Sequence, residues 1–382
     1  MNKVRIAWLI PVAWFYWQPF LSEFTKQFPN TVVFTALFPG YAKGYEDTLN
    51  IRLIGQWKVA RKQSPHQGYG SGLTYISPMI VFSLFKFRPH IIYSNSFGIW
   101  TLLALIFKVI GFWKVVIAYE GSAPGVDFLN KPRRLALRRL MARLADGFIT
   151  NSQAGRDYLI KHLGADEAQV FAYPYEVPAA KSLFAESNEH APAAIEVLNR
   201  PLFLFVGRVM PRKGLKTLLE ACIQLKQRGH QEYTLLVIGD GEDLDSLQTY
   251  CQNQQIDNCV VWAGQIDYSQ IGSYFRAADV FILPTIEDTW GVVVLEAMLF
   301  GKAVLCSTGA GSSELISPGD NGFVFRPNHP EELADVMQVM IEHPEKIKLV
   351  GEKSRQVMDH HTPESAARFL GNVTACVIPE VG

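Results

Sequence analysis

The chain has little cysteine, five in 382 residues, and none of it in C-x-x-C spacing. That excludes a thiolate zinc site and reads as free thiols in a reducing, cytoplasmic compartment. It also lacks net charge, with 36 Lys and Arg against 36 Asp and Glu. A balanced surface removes the broad basic field on which nucleic-acid binders rely. No apolar run reaches the ~20 residues a spanning helix needs. The strongest, Phe97 to Trp113, is interrupted by Lys108 and Gly111 and is expected to be a buried core helix. No cleavable leader is evident, because Val4 to Ile10 reads as a short strand. The chain has no G-x-x-x-x-G-K-[ST] loop and no G-x-G-x-x-G after its first strand, so phosphoryl and hydride transfer both lose ground.

What the chain does have is a repeating rhythm of short apolar runs and helical stretches. Strands are expected at Val4–Ile10, Thr31–Leu37, His90–Ser94, Lys114–Tyr119, Gly147–Asn151 and Gln169–Tyr173. Helices are expected between them near Gln18–Phe28, Tyr75–Phe87, Gly98–Ile110, Lys131–Ala145 and Gln153–Leu163. A second set of strands follows at Leu202–Val206, Thr234–Ile238, Cys259–Trp262, Val280–Leu283, Ala303–Ser307 and Gly322–Phe325. Near-continuous apolar strands separated by helices imply parallel sheets covered on both faces. The expected architecture is therefore α/β, with two doubly wound, Rossmann-like domains facing a cleft. Residues 1–178 form the first domain, 179–200 a proline-marked linker and 201–360 the second domain. Residues 361–382 are a C-terminal segment that is a candidate to pack back on the first domain.

Two charge patterns in the second half point to chemistry. Gly207-Arg208-Val209-Met210-Pro211-Arg212-Lys213-Gly214 runs from a strand end to a helix start. The helix dipole disfavours cations there, so Arg208, Arg212 and Lys213 make sense around an anionic ligand. Further glycine turns follow other strands of this half, at Gly239-Asp240-Gly241, Ala263-Gly264 and Gly309-Ala310-Gly311. Glu296 is a lone carboxylate in the apolar run Val292 to Phe300, and Asp288 lies eight residues earlier. Burying a single carboxylate costs several kcal/mol unless something pairs with it. One reading is a structural pair with Arg or a backbone amide. The other is that Glu296 and Asp288 flank a polyhydroxylated ligand.

In these residues the second half resembles the retaining, two-Rossmann-domain (GT-B) glycosyltransferases of family 4, the glycosyl transferases group 1. The likeness rests on Val206-Gly207-Arg208, Lys213-Gly214, Gly239-Asp240-Gly241 and Asp288 through Glu296. It continues through Gly301-Lys302-Ala303-Val304, Glu314-Leu315-Ile316 and Asn321-Gly322. The first half is alike only in architecture. The resemblance implies transfer of a sugar from a nucleotide-sugar donor to a glycan, glycolipid or small-molecule acceptor. Arg208 and Lys213 would hold the donor diphosphate, with Gly207, Gly239, Gly291 and Val292 around it. Glu296 would take the ribose hydroxyls and Asp288 those of the donor sugar. It implies no metal and no other cofactor, since the two cations would carry the leaving-group charge. The family pattern is Glu, seven residues, Glu; here Asp288 takes the first place and Glu287 is one residue out of register.

The first half departs further from the pattern. The loop Pro11 to Pro19 is aromatic and without glycine, and is expected to fill core more than to stack on a sugar. Glu120 ends a strand where many members carry His, and is either a catalytic or hydroxyl-binding group or a surface carboxylate in a turn. Lys131 to Arg143 is basic and helical in period. It is a candidate for peripheral contact with an anionic membrane or a lipid-linked acceptor, against the plainer expectation of a solvated helix with a core-facing stripe. A nucleotide-sugar epimerase or hydrolase on the same fold, or a non-catalytic nucleotide-sugar-binding subunit, are the alternative functions.

Overall fold

The structure, a computed structural model, describes residues 3–56, 58–59, 74–75, 77–185 and 193–379. Part of the expected linker, 186–192 with Pro192, lies outside the described residues. The chain divides into two compact units, whose boundaries fall at Ala179–Ala180 and again at His360–His361.

The first unit holds β1 (Ile6–Leu9), β2 (Thr31–Thr35), β3 (Ile51–Leu53), β4 (Lys58–Val59), β5 (Thr74–Tyr75), β6 (Ile91–Asn95), β7 (Lys114–Ala118), β8 (Gly147–Thr150) and β9 (Val170–Ala172). Seven of these form one parallel sheet in the order β3-β2-β1-β6-β7-β8-β9, and β4 and β5 form a separate antiparallel pair. Every residue of β1 and β2 is buried, as expected for strands covered on both faces. Trp8 of β1 stacks on Tyr93 of β6 at 4.5 Å between ring centroids. Helix Pro363–Val377 belongs to this unit and packs on helix Gln18–Gln27. It starts with a capping box between Thr362 and Ser365, and Tyr93 donates a hydrogen bond to the Leu370 carbonyl at 3.2 Å.

The second unit holds β10 (Leu202–Val206), β11 (Thr234–Ile238), β12 (Val260–Gly264), β13 (Val280–Leu283), β14 (Ala303–Ser307) and β15 (Gly322–Phe325). Its parallel sheet has the order β12-β11-β10-β13-β14-β15. That is the 3-2-1-4-5-6 order of a doubly wound sheet, and the order reverses between β10 and β13. Alternate strand residues feed two cores. Phe203, Phe205 and Val237 point to one, and Leu202, Leu204 and Leu236 to the other.

The structure departs from expectation at five places. The chain adds β3, whose three residues are mostly exposed and include Arg52, so its apolar signal is weak. The helix expected from Tyr75 begins at Ile80, and Tyr75 itself is in a strand. The stretch expected as one buried helix from Gly98 breaks at Phe107 into Ile99–Ile106 and Lys108–Gly111, and Val109, Ile110 and Phe112 are exposed. The basic helix, Pro132–Leu144, has its core-facing stripe, with Met141 and Ala142 buried and Leu135 partly buried on the core, but Arg138 is buried in that face while Leu140 and Leu144 are exposed. The aromatic loop divides, with Trp17 buried against Trp8 and Phe20 while Trp14 is exposed.

Candidate active site

Ligands of doubly wound sheets bind beyond the strand C-termini at the point where strand order reverses. In the second unit that point lies between the loops that follow β10 and β13. The two loops are joined by backbone. The Arg212 carbonyl accepts hydrogen bonds from the Ile286 amide at 2.8 Å and the Thr285 hydroxyl at 2.9 Å. Gly214 permits this closeness. It sits at φ +68°, and a Cβ there would come within 1.9 Å of the Pro284 carbonyl oxygen. The loop after β14 joins them, with the Asp288 amide donating to Gly309 at 2.8 Å and the Gly311 amide to Asp288 at 3.1 Å. Three strand ends thus converge on Asp288.

The charges converge there too. The Lys213 ammonium donates a hydrogen bond to the Asp288 carboxylate. Arg212 approaches the same oxygen at 3.9 Å and donates to the Glu287 carbonyl at 3.3 Å. Asp288 is 6% exposed, so this pairing takes place largely out of water. Arg208 stands apart: its guanidinium is exposed and meets Glu242 at 3.4 Å. Gly207 and Gly239 form the neighbouring wall. The Gly207 amide donates to the Ile238 carbonyl at 3.0 Å, and a Cβ on Gly239 would lie 1.9 Å from the Gly207 oxygen. Gly291 caps helix Val292–Leu299 in a left-handed conformation; the Val294 amide donates to its carbonyl at 3.0 Å, and no side chain caps the helix, which leaves the Val292 and Val293 amides at the loop cluster.

Glu296 is buried one turn into that helix, and its carboxylate accepts a hydrogen bond from the Tyr268 hydroxyl at 2.7 Å. Among the described residues the pair comes from Tyr268, just beyond β12, and not from an Arg or a backbone amide. Burial pushes the Glu296 carboxyl up from 4.5 to about 7, and the Tyr268 hydrogen bond opposes that rise. A carboxyl raised on folding stays protonated in the folded state after the unfolded chain has lost its proton. Its favourable contribution is therefore complete below about pH 4.5 and lost as pH rises through about 7. A shift of that size corresponds to about 3 kcal/mol. In Glu296→Gln, denaturant unfolding should be flatter across this window by about that amount; an unchanged slope contradicts the assignment.

Other residues that the sequence singles out have structural roles. Lys302 donates to the carbonyls of Arg276 at 3.0 Å and Ala278 at 2.7 Å, tying down the end of a helix. Asn321 holds the Ser317 amide and the Leu315 carbonyl at 2.7 and 2.9 Å. A cavity of 1210 Å³, lined in part by Arg200, Arg276, Asp279 and Lys302, lies at the opposite, N-terminal end of the strands. No cluster of three metal-ligating side chains occurs among the described residues. Glu120 belongs to the first unit, just past β7, where it accepts a hydrogen bond from Asn95 at 3.0 Å. Tyr268 was not foreseen; nothing in its own neighbourhood marks it, since its partner lies 28 residues away.

Two family models match the chain. The one described as glycosyl transferases group 1 matches residues 187–357, and the one described as glycosyltransferase family 4 matches residues 31–174. An uncharacterized glycosyltransferase of Methanocaldococcus jannaschii is 26% identical over 285 residues, 72% of this chain and 71% of that protein. The sulfoquinovosyl transferase of Arabidopsis thaliana is 24% identical over 311 residues, 78% of this chain but 58% of its own length. The crystal structure of an Anabaena protein in complex with UDP covers 98% of this chain and 100% of its own, with a TM-score of 0.74 at 17% identity.

Proposed function

We propose that this chain, a glycosyltransferase of the GT-B fold, moves a sugar from a nucleotide-sugar donor to an acceptor with retention of configuration. The observation that carries the proposal is the meeting of Lys213, Arg212 and Asp288 at the switch point, beside the start of helix Val292–Leu299. Cations and free helix amides together suit a diphosphate. Asp288, on the same ammonium, suits the hydroxyls of the sugar attached to it. Lys213 would then touch both sides of the bond that breaks.

As the sugar leaves, negative charge builds on the diphosphate. Lys213 stabilises that charge most because Asp288 holds it in place and the site excludes much of the surrounding water. Arg208 has no such anchor. It is free to swing from Glu242 onto the diphosphate when donor is bound. Glu296 takes the ribose hydroxyls, and ionisation strengthens it as an acceptor. Glu120, on the first unit, is a group for acceptor hydroxyls. On this reading the cations supply the electrostatics and no metal cofactor is called for. The Anabaena protein, whose structures include complexes with UDP and with UDP-glucose, supports a nucleotide-sugar donor. Four buried free cysteines suit a cytoplasmic setting.

The test is to count free nucleoside diphosphate with and without acceptor extracts. Transfer predicts release that depends on acceptor and matches glycosylated product one for one. Release independent of acceptor identifies a hydrolase. Sugar interconversion without release identifies an epimerase, and donor binding with no turnover a non-catalytic subunit.

A further inference from the structure

Helix Pro132–Leu144 buries Met141 and Ala142 and packs Leu135 on the core, yet it also buries an arginine and leaves three leucines in water. Its buried Arg138 lies 5.0 Å from the Phe97 ring and 4.8 Å from the Phe128 ring, and donates to the Tyr158 hydroxyl at 2.9 Å. Its leucines 137, 140 and 144 are exposed instead. They lie three or four residues apart and so form one ridge along the outer face. Lys108 donates to the Leu144 carbonyl at 2.8 Å, which sets the short helix Lys108–Gly111 beside the end of that ridge. There Val109 is 79%, Ile110 65% and Phe112 91% exposed. Phe112 also holds φ +52°, a left-handed conformation that suits Asn or Gly better than a bulky aromatic. Phe112 ends that short helix as its C-cap, and among the described residues its ring is left almost wholly in water.

The charges around this ridge are of one sign. Lys131, Arg133, Arg134, Arg139 and Arg143 are exposed along the helix, and no carboxylate occurs from Lys131 to Ala145. Asp146, the first acid after it, is held by Lys108 at 2.7 Å and Lys114 at 3.2 Å. Monomers rarely leave apolar side chains clustered in water without a use for them. An apolar ridge flanked by arginines has the makeup of a segment that lies in a bilayer interface.

We propose that Leu137, Leu140, Leu144, Val109, Ile110 and Phe112, with their flanking arginines, form a docking face for an anionic lipid bilayer. The apolar side chains enter the boundary between headgroups and acyl chains, and Arg133 and Arg143 meet the phosphates. The surface lies on the first unit and does not depend on the donor-site assignment.

Flotation of the full chain with vesicles tests this, using phosphatidylcholine alone and mixed with phosphatidylglycerol. The wild-type chain should float with the mixed vesicles and far less with the neutral ones. The variant Val109→Ser/Ile110→Ser/Phe112→Asn should lose about tenfold in vesicle affinity. Arg133→Gln/Arg143→Gln should lose binding to anionic vesicles and show less salt dependence. Both variants should unfold at the wild-type temperature, since all five positions are exposed. Failure of the folded wild-type chain to float, or equal flotation of wild type and both variants, overturns the proposal. A concentration-dependent dimer abolished by the triple variant, without vesicle binding, would make the surface a protein interface and overturn it as well.

Discussion

Lys213→Ala should lower kcat/KM by about 10²–10³-fold, the usual cost of removing one preorganised donor from a developing negative charge. The loss should appear in kcat more than in KM, because the charge that Lys213 meets is larger in the transition state than in the bound donor. The substitution has a second consequence. Asp288 is 6% exposed, and without Lys213 its nearest cation is Arg212 at 3.9 Å. A buried carboxylate deprived of its charged partner costs about 1–3 kcal/mol. Lys213→Ala should therefore also lower stability, and the double variant Lys213→Ala/Asp288→Asn should recover much of it. Activity should not recover with it. If the double variant regains turnover together with stability, Lys213 is a structural lysine and its place in the chemistry is wrong.

That contrast also shows what could and could not be read from the sequence. The second sheet was legible nearly residue by residue, since β10, β11, β13, β14 and β15 have the expected limits. These strands are apolar on both faces and end at glycine or proline turns, Gly207, Gly239 and Gly309 after β10, β11 and β14 and Pro284 and Pro327 after β13 and β15, so their boundaries are written locally. β3 was not legible because an edge strand with Arg52 at its centre carries little apolar signal. The candidate site was legible as a set of residues but not as a set of pairs. Lys213 and Asp288 are 75 residues apart, and only the reversal of strand order brings their loops together. Arg212 and Lys213 converge on Asp288, whereas Arg208 of the same loop does not.

Helix Pro132–Leu144 misled for the opposite reason. Leucines at helical spacing normally face a core and arginines face water. Here the site of burial is made by Phe97, Phe128 and Tyr158, from other segments of the chain, and these rings accept a cation. Arg138 turns in beside Leu135, Met141 and Ala142, and Leu137, Leu140 and Leu144 turn out. A periodicity argument sees only the helix's own residues and cannot detect aromatic neighbours that choose the arginine.

Glu296 tests the central claim, that the second unit binds a nucleotide sugar through its switch-point loops. An ionised carboxylate accepting two ribose hydroxyls makes charge-assisted bonds, each worth about 1.5–3 kcal/mol. Replacing it with an amide of the same shape should weaken donor binding by about 10–100-fold. The measurement is a thermal-shift screen of nucleotide sugars against the wild-type chain and Glu296→Gln. At about 100 times its dissociation constant a true donor stabilises the wild type by about 2.7 kcal/mol, and a 100-fold weaker site by only about 0.4 kcal/mol. The account predicts at least one nucleotide sugar that shifts the wild type strongly and Glu296→Gln weakly. Equal shifts in both proteins, or no shift from any nucleotide sugar, would contradict it.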